Sequence, residues 1–133
     1  MSYLTKGLTF NALRYANTAR LPLFKNGKGE PAHSMPDGSD WSPGDWMMAT
    51  VGELGELGNI LKKVRRGDIS LDDAMPSIRK EFADVVTYLD IFAMQLDVDL
   101  GEAVADKFNE VSRRVGADVF IGRNSDIRKN DPA

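Results

Sequence analysis

Apolar residues recur at three- and four-residue steps in four stretches of the 133-residue chain, and nowhere do they alternate with period two over a useful length. The first stretch, Thr5 to Ala19, carries Leu8, Ala12, Tyr15, Ala16 and Ala19 on one side and should end near Arg20, ahead of Pro22. From Leu21 to Trp41 the period lapses among Pro22, Gly27, Gly29, Pro31, Pro36 and Gly38, which predicts a long loop, either a connector or a segment that folds over a ligand. Ser42-Pro-Gly-Asp45 then reads as a helix start, with Ser42 as cap, Pro43 in the first turn and Asp45 in the reciprocal acidic position. Met47, Val51, Leu54, Leu57, Leu61 and Val64 form the expected apolar stripe of this second helix, and Gly67 closes it.

Ser70 caps a third helix, in which Pro76 predicts a bend or a fresh start. Its apolar face includes Ile78, Phe82, Val85, Val86, Leu89, Phe92, Ala93 and Leu96, wide enough to pack against two partners, and its surplus apolar surface predicts at least a dimer. Asp99 caps a fourth helix with Leu100, Val104, Phe108, Val111 and Val115 at its core positions and Gly116 at its end. The expectation is an all-α fold, a bundle of about four main helices in one domain over 1–121, followed by a loosely ordered polar tail at 122–133. Gly52, Gly55 and Gly58 each weaken the second helix by roughly 1 kcal/mol relative to alanine, which predicts close approach of a neighbouring helix.

Composition narrows the function more than the fold. Hydrophobic residues at 42% and charged residues at 28% are ordinary for a soluble globular domain of this length. The absence of cysteine excludes disulfides and thiolate metal sites, and the single histidine, His33, excludes sites that need two. No basic leader with an apolar run and no membrane-length segment is visible, so a cytoplasmic protein without a membrane partner is the expectation. A net charge of -3 argues against a stable nucleic-acid partner.

The chemistry lies in two acidic pairs, Glu53 with Glu56 and Glu81 with Asp84, each spaced i,i+3. That spacing puts both carboxylates of a pair on one side of a helix, about one turn apart. Two such pairs on consecutive antiparallel helices can converge, and four converging carboxylates are tolerable only if protonated or if they hold a cation. Oxygen-only ligation suits Mg²⁺ or Mn²⁺, the ions of phosphate chemistry. Either pair alone would read as a solvated acidic edge. Trp41 and Trp46 flank the start of the acidic helix, where an indole serves as a core anchor or as a stacking surface for a base. Lys62 and Lys63 suit the helix dipole, with phosphate contact as the other reading.

Gly52-Glu-Leu-Gly-Glu56 followed by Glu81-Phe-Ala-Asp84 resembles the MazG-like all-α nucleoside triphosphate pyrophosphohydrolases, whose pattern is E-E-x-x-E then E-x-x-D. The resemblance covers about Trp41 to Arg114 and implies that Glu53, Glu56, Glu81 and Asp84 bind Mg²⁺ while a water attacks the triphosphate. Gly52 departs from the pattern, standing where its first glutamate would, which leaves Glu56, with Glu53, as the acid to orient that water. The resemblance also implies substrate contacts from Lys107, Asn109 and Arg113 on the last helix, with Trp46 and Lys63 as further candidates. Its members assemble as dimers or as dimers of dimers. The activity expected is conversion of nucleoside or deoxynucleoside triphosphates to monophosphates and pyrophosphate. The alternative is a catalytically weak helical binding or assembly module that keeps the fold.

Overall fold

The computed structural model describes residues 7–123, and among them the chain is all-α, with four α-helices and no strand. Helix α1 spans Phe10–Arg20, α2 Pro43–Arg66, α3 Leu71–Gln95 and α4 Leu100–Val115. No described helix is long and apolar enough to cross a membrane. The helices belong to two compact units divided between Leu96 and Asp97.

Local chemistry explains each boundary. Thr9 accepts the Ala12 N–H at 3.0 Å and so starts α1 at Phe10, later than the expected Thr5. Ser42 and Asp45 form a reciprocal capping box on α2, and Ser70 and Asp99 accept N–H groups in the first turns of α3 and α4. Gly67 and Gly116 end α2 and α4 in the left-handed region, at φ of 80° and 70°, where a side chain would be strained. Pro76 does not interrupt α3, which runs through it from Leu71 to Gln95.

In the first unit, α2 and α3 form an antiparallel hairpin across a four-residue turn. Leu57, Ala74 and Ile78 make one buried cluster, with Ile60, Val64 and Ile69 packed against it. Leu21, Trp46 and Ile91 make another, packed by Trp41, Tyr88, Phe92 and Met94. The inward line of α2 is therefore Trp46, Leu57, Ile60 and Val64. This corrects the expected stripe: Met47, Val51, Leu54 and Leu61 are about half exposed. The glycines are corrected too, since a Cβ at Gly52, Gly55 or Gly58 would meet no atom of the chain within 4 Å.

Helix α1 lies on α3 around a buried polar pin. Asp90, fully buried, accepts from Arg14 Nε at 3.0 Å and from buried Asn17 Nδ2 at 2.9 Å. The segment 21–41 is more than a connector. It opens with a 3-10 turn at Leu21–Leu23, makes a bridge between Lys25 and Pro31, and stacks His33 against Trp41 with ring centroids 4.6 Å apart. Gln95 Nε2 donates to the Trp41 carbonyl and Trp46 Nε1 to the Gly38 carbonyl, which ties the far end of this segment to the helices, while buried Leu21 packs its near end against Trp46 and Ile91.

In the second unit the chain beyond α4 is held by side chains. Asn109 donates to the Ile121 carbonyl at 2.9 Å and accepts its N–H at 2.8 Å, and Arg123 Nε pairs with Glu102 at 2.6 Å and Asp106 at 3.3 Å. Of the tail expected at 122–133, residues 124–133 lie outside the described residues.

Candidate metal centre

Glu53 sits seven residues after Trp46 and four before Leu57, on the line of α2 that faces α3. On α3, Glu81 follows Ile78 by three residues and Asp84 follows Glu81 by three. The antiparallel register set by Leu57 and Ile78 brings these acids level, and one carboxylate oxygen from each of Glu53, Glu81 and Asp84 lies within 4.8 Å of the other two. Glu53 and Glu81 are half-buried and Asp84 is exposed. Glu56 stands outside this triad: with Glu53 on the inward line, a further three residues turn it away towards solvent, where it is exposed.

The electrostatics match the geometry. Burial pushes the Glu53 carboxyl above its ordinary value, and the charges of Asp84, Glu81 and Glu56 push it further in the same direction. Tyr88, one turn beyond Asp84, is likewise raised, first by burial and then by Glu53 and Asp84, while Arg20 opposes them. Tyr88 therefore borders the acids, and Arg20 at the end of α1 lies near Tyr88. Three carboxylates held this close offer a hard divalent cation an all-oxygen donor set, and a cation would relieve the repulsion that raises Glu53.

The raised Glu53 carboxyl, held up first by burial and then by its acidic neighbours, predicts how stability depends on pH. The folded protein holds the Glu53 proton more tightly than the unfolded chain does, so the associated stability is present below the ordinary glutamate value of 4.5 and is lost as pH rises through the raised folded value. Asp37 and Asp45, lowered from 3.8 chiefly by hydrogen bonds from Ser39 and Ser42, act with opposite sign in a lower window. The melting temperature of the metal-free protein should thus fall as pH rises above 4.5, and Glu53→Gln should flatten that fall. An equal slope in the variant would show that burial and the neighbouring carboxylates do not raise Glu53 as described.

The remaining candidates are placed differently. Trp46 is 0% exposed with its Nε1 committed to Gly38, which makes it a core anchor with no face open to a base and corrects its reading as a stacking surface. Lys63 is exposed in the last turn of α2, about 15 Å along the axis from Glu53 at 1.5 Å per residue. In the second unit Lys107 pairs with Glu110, Asn109 clamps Ile121, and the Arg113 guanidinium lies 5.6 Å from the centroid of the Phe120 ring. His33 is enclosed by Phe24, Trp41 and Trp46.

Sequence reasoning missed Tyr88, although its spacing of four from Asp84 and seven from Glu81 was a readable signal. It also missed the Asp90 pin, whose partners are 73 and 76 residues away in the chain. No family model matches the chain, and no curated protein or solved structure matches it either.

Proposed function

We propose that the chain is a Mg²⁺-dependent nucleotide pyrophosphohydrolase, able to use Mn²⁺, that converts nucleoside or deoxynucleoside triphosphates to monophosphates and pyrophosphate. One observation carries the reading: the convergence of Glu53, Glu81 and Asp84 from two helices onto one point. When bound, the ion supplies charge neutralisation at the phosphates and lowers the pKa of water. Glu53, Glu81 and Asp84 hold it. Glu56, exposed and one turn from Glu53, is the acid assigned in this reading to take a proton from the attacking water. Arg20, whose charge acts on Tyr88 as those of Glu53 and Asp84 do, supplies positive charge to the phosphates. Lys63 is an exposed cation on the helix that carries Glu53 and is available for the same purpose, whereas Lys107, Asn109 and Arg113 belong to the second unit, where they engage Glu110, Ile121 and the Phe120 ring.

Pyrophosphate release from a mixed triphosphate pool tests the proposal. Release should require Mg²⁺ or Mn²⁺ and stop with a chelator, and its absence under all these conditions overturns the reading. Gly52 favours a second reading, a helical binding or assembly module of little catalytic power. A Cβ there meets nothing within 4 Å, and residue 52 lies one turn from Glu56, so Gly52→Glu is accommodated. A wild type with no release that gains it in Gly52→Glu would establish the second reading.

A further inference from the structure

The exposed turn from Lys25 to Pro31 is built around one side chain. Asn26 Oδ1 accepts two backbone N–H groups, from Lys28 at 2.9 Å and from Glu30 at 3.0 Å, and Asn26 Nδ2 donates to Glu30 Oε2 at 3.0 Å. The main chain closes round the same residue: Asn26 N donates to the Glu30 carbonyl at 2.8 Å, and Gly29 N to the Asn26 carbonyl at 2.9 Å. Asparagine organises a turn in this way because its side-chain amide stands in for a backbone one. Of all the asparagines in the chain, only Asn26 is followed by glycine. A Cβ at Gly27 would meet no atom within 4 Å, so the Gly27 nitrogen has neither a side chain of its own nor a packed neighbour to hinder it.

We propose that this turn modifies itself: Asn26 and Gly27 close a succinimide ring, which water opens to aspartate or isoaspartate. The Gly27 nitrogen attacks Asn26 Cγ and forms the N–Cγ bond of the ring. The Cγ–Nδ2 bond breaks, and Nδ2 leaves as ammonia with the proton of the Gly27 N–H. Water then adds at one ring carbonyl. Addition at Cγ restores the main chain and leaves aspartate, whereas addition at the backbone carbonyl leaves isoaspartate, with the chain running through Cγ. No metal, oxidant or nucleotide takes part. The turn supplies what the first step needs. Negative charge develops on Oδ1 as Cγ becomes tetrahedral, and the Lys28 and Glu30 N–H groups already point at that oxygen. The Glu30 carboxylate, hydrogen-bonded to Nδ2, carries the Gly27 proton to Nδ2 once both nitrogens are on one carbon. These contacts also hold the amide in place, so it need not be ordered before it reacts. The product loosens the turn. Aspartate sets an oxygen against Glu30 where Nδ2 now donates, and isoaspartate adds a carbon to the main chain beside the Lys25–Pro31 bridge.

Peptide mass mapping tests this on the full chain incubated at mildly alkaline pH, folded in buffer and unfolded in guanidinium at the same pH. Asn26 should convert about tenfold faster in the folded protein than in the unfolded one, because only the fold places the two N–H donors and Glu30 around it. Isoaspartate should be among the products, since it arises only by opening of the ring. Glu30→Gln keeps an oxygen for Nδ2 but cannot carry a proton, so it should bring the folded rate down to near the unfolded rate and leave the unfolded rate as it is. Gly27→Ala, whose methyl meets no other atom of the fold but crowds the attacking nitrogen, should slow conversion severalfold in both states. A folded rate equal to or below the unfolded rate overturns the proposal, as does a product free of isoaspartate or a folded rate unchanged in Glu30→Gln.

Discussion

Replacing Arg14 by methionine should destabilise the protein by about 3–5 kcal/mol, the cost of leaving a buried charge without its partner. Asp90 has a side chain only 1% exposed, and its charge is met by the Arg14 guanidinium on one oxygen and by Asn17 on the other. Methionine keeps the helix propensity and much of the apolar stem of arginine, so the loss isolates the polar contact. For a chain of this size the loss corresponds to a fall in melting temperature of about 10–20 °C. The pin need not be a net source of stability. A triple replacement, Arg14→Met, Asn17→Leu and Asp90→Leu, removes every charged or donating member at once and should recover most of the loss. Thermal melts of the single and triple variants decide it: a single variant within 1 °C of wild type would mean that Asp90 is hydrated in solution and that α1 is held by its apolar contacts alone.

How far these features could be read from sequence depended on the distance over which each is determined. Helix ends were legible because Ser42, Asp45, Ser70, Asp99, Gly67 and Gly116 act within a turn of themselves. The inward line of α2 was not. Two apolar stripes about 100° apart run along that helix, and the i,i+3 and i,i+4 rule fits Met47, Val51 and Leu54 as well as it fits Leu57, Ile60 and Val64. Only the partner helix decides between them. The choice mattered for the acids, because it moves Glu53 onto the line facing α3 and turns Glu56 outward, so three of the four expected carboxylates converge where simple spacing suggested four. Trp46 was ambiguous for a related reason: burial of an indole follows from what packs over it, here Gly38 and the aromatic rings of the 21–41 segment. Asp90 could not be found by any local rule, since one acid in the run Leu-Asp-Ile-Phe looks like a break in an apolar face until Arg14 and Asn17 are brought to it.

Glu53→Gln and Asp84→Asn should each reduce Mg²⁺-dependent pyrophosphate release by about 10²–10³-fold or more, the scale of losing one electrostatic contact to a transition state. Their stabilities should move the other way. Without metal, each variant removes one member of a set of like charges, and Glu53→Gln removes the carboxyl most affected by burial and by its neighbours, so both should melt at or above the wild-type temperature at neutral pH. With Mg²⁺ at a hundred times its dissociation constant, mass action should stabilise wild type by about 2.7 kcal/mol and the variants by much less. This crossing of the curves, in which the variants are ahead without metal and behind with it, separates ligation from a structural role: an acid needed only for packing or hydrogen bonding would lower the melting temperature in both conditions. Glu56→Gln should separate from these two, losing turnover while keeping most of the metal-induced shift, because Glu56 lies outside the triad. Equal metal-induced shifts in wild type, Glu53→Gln and Asp84→Asn would remove the three carboxylates from any account of metal binding.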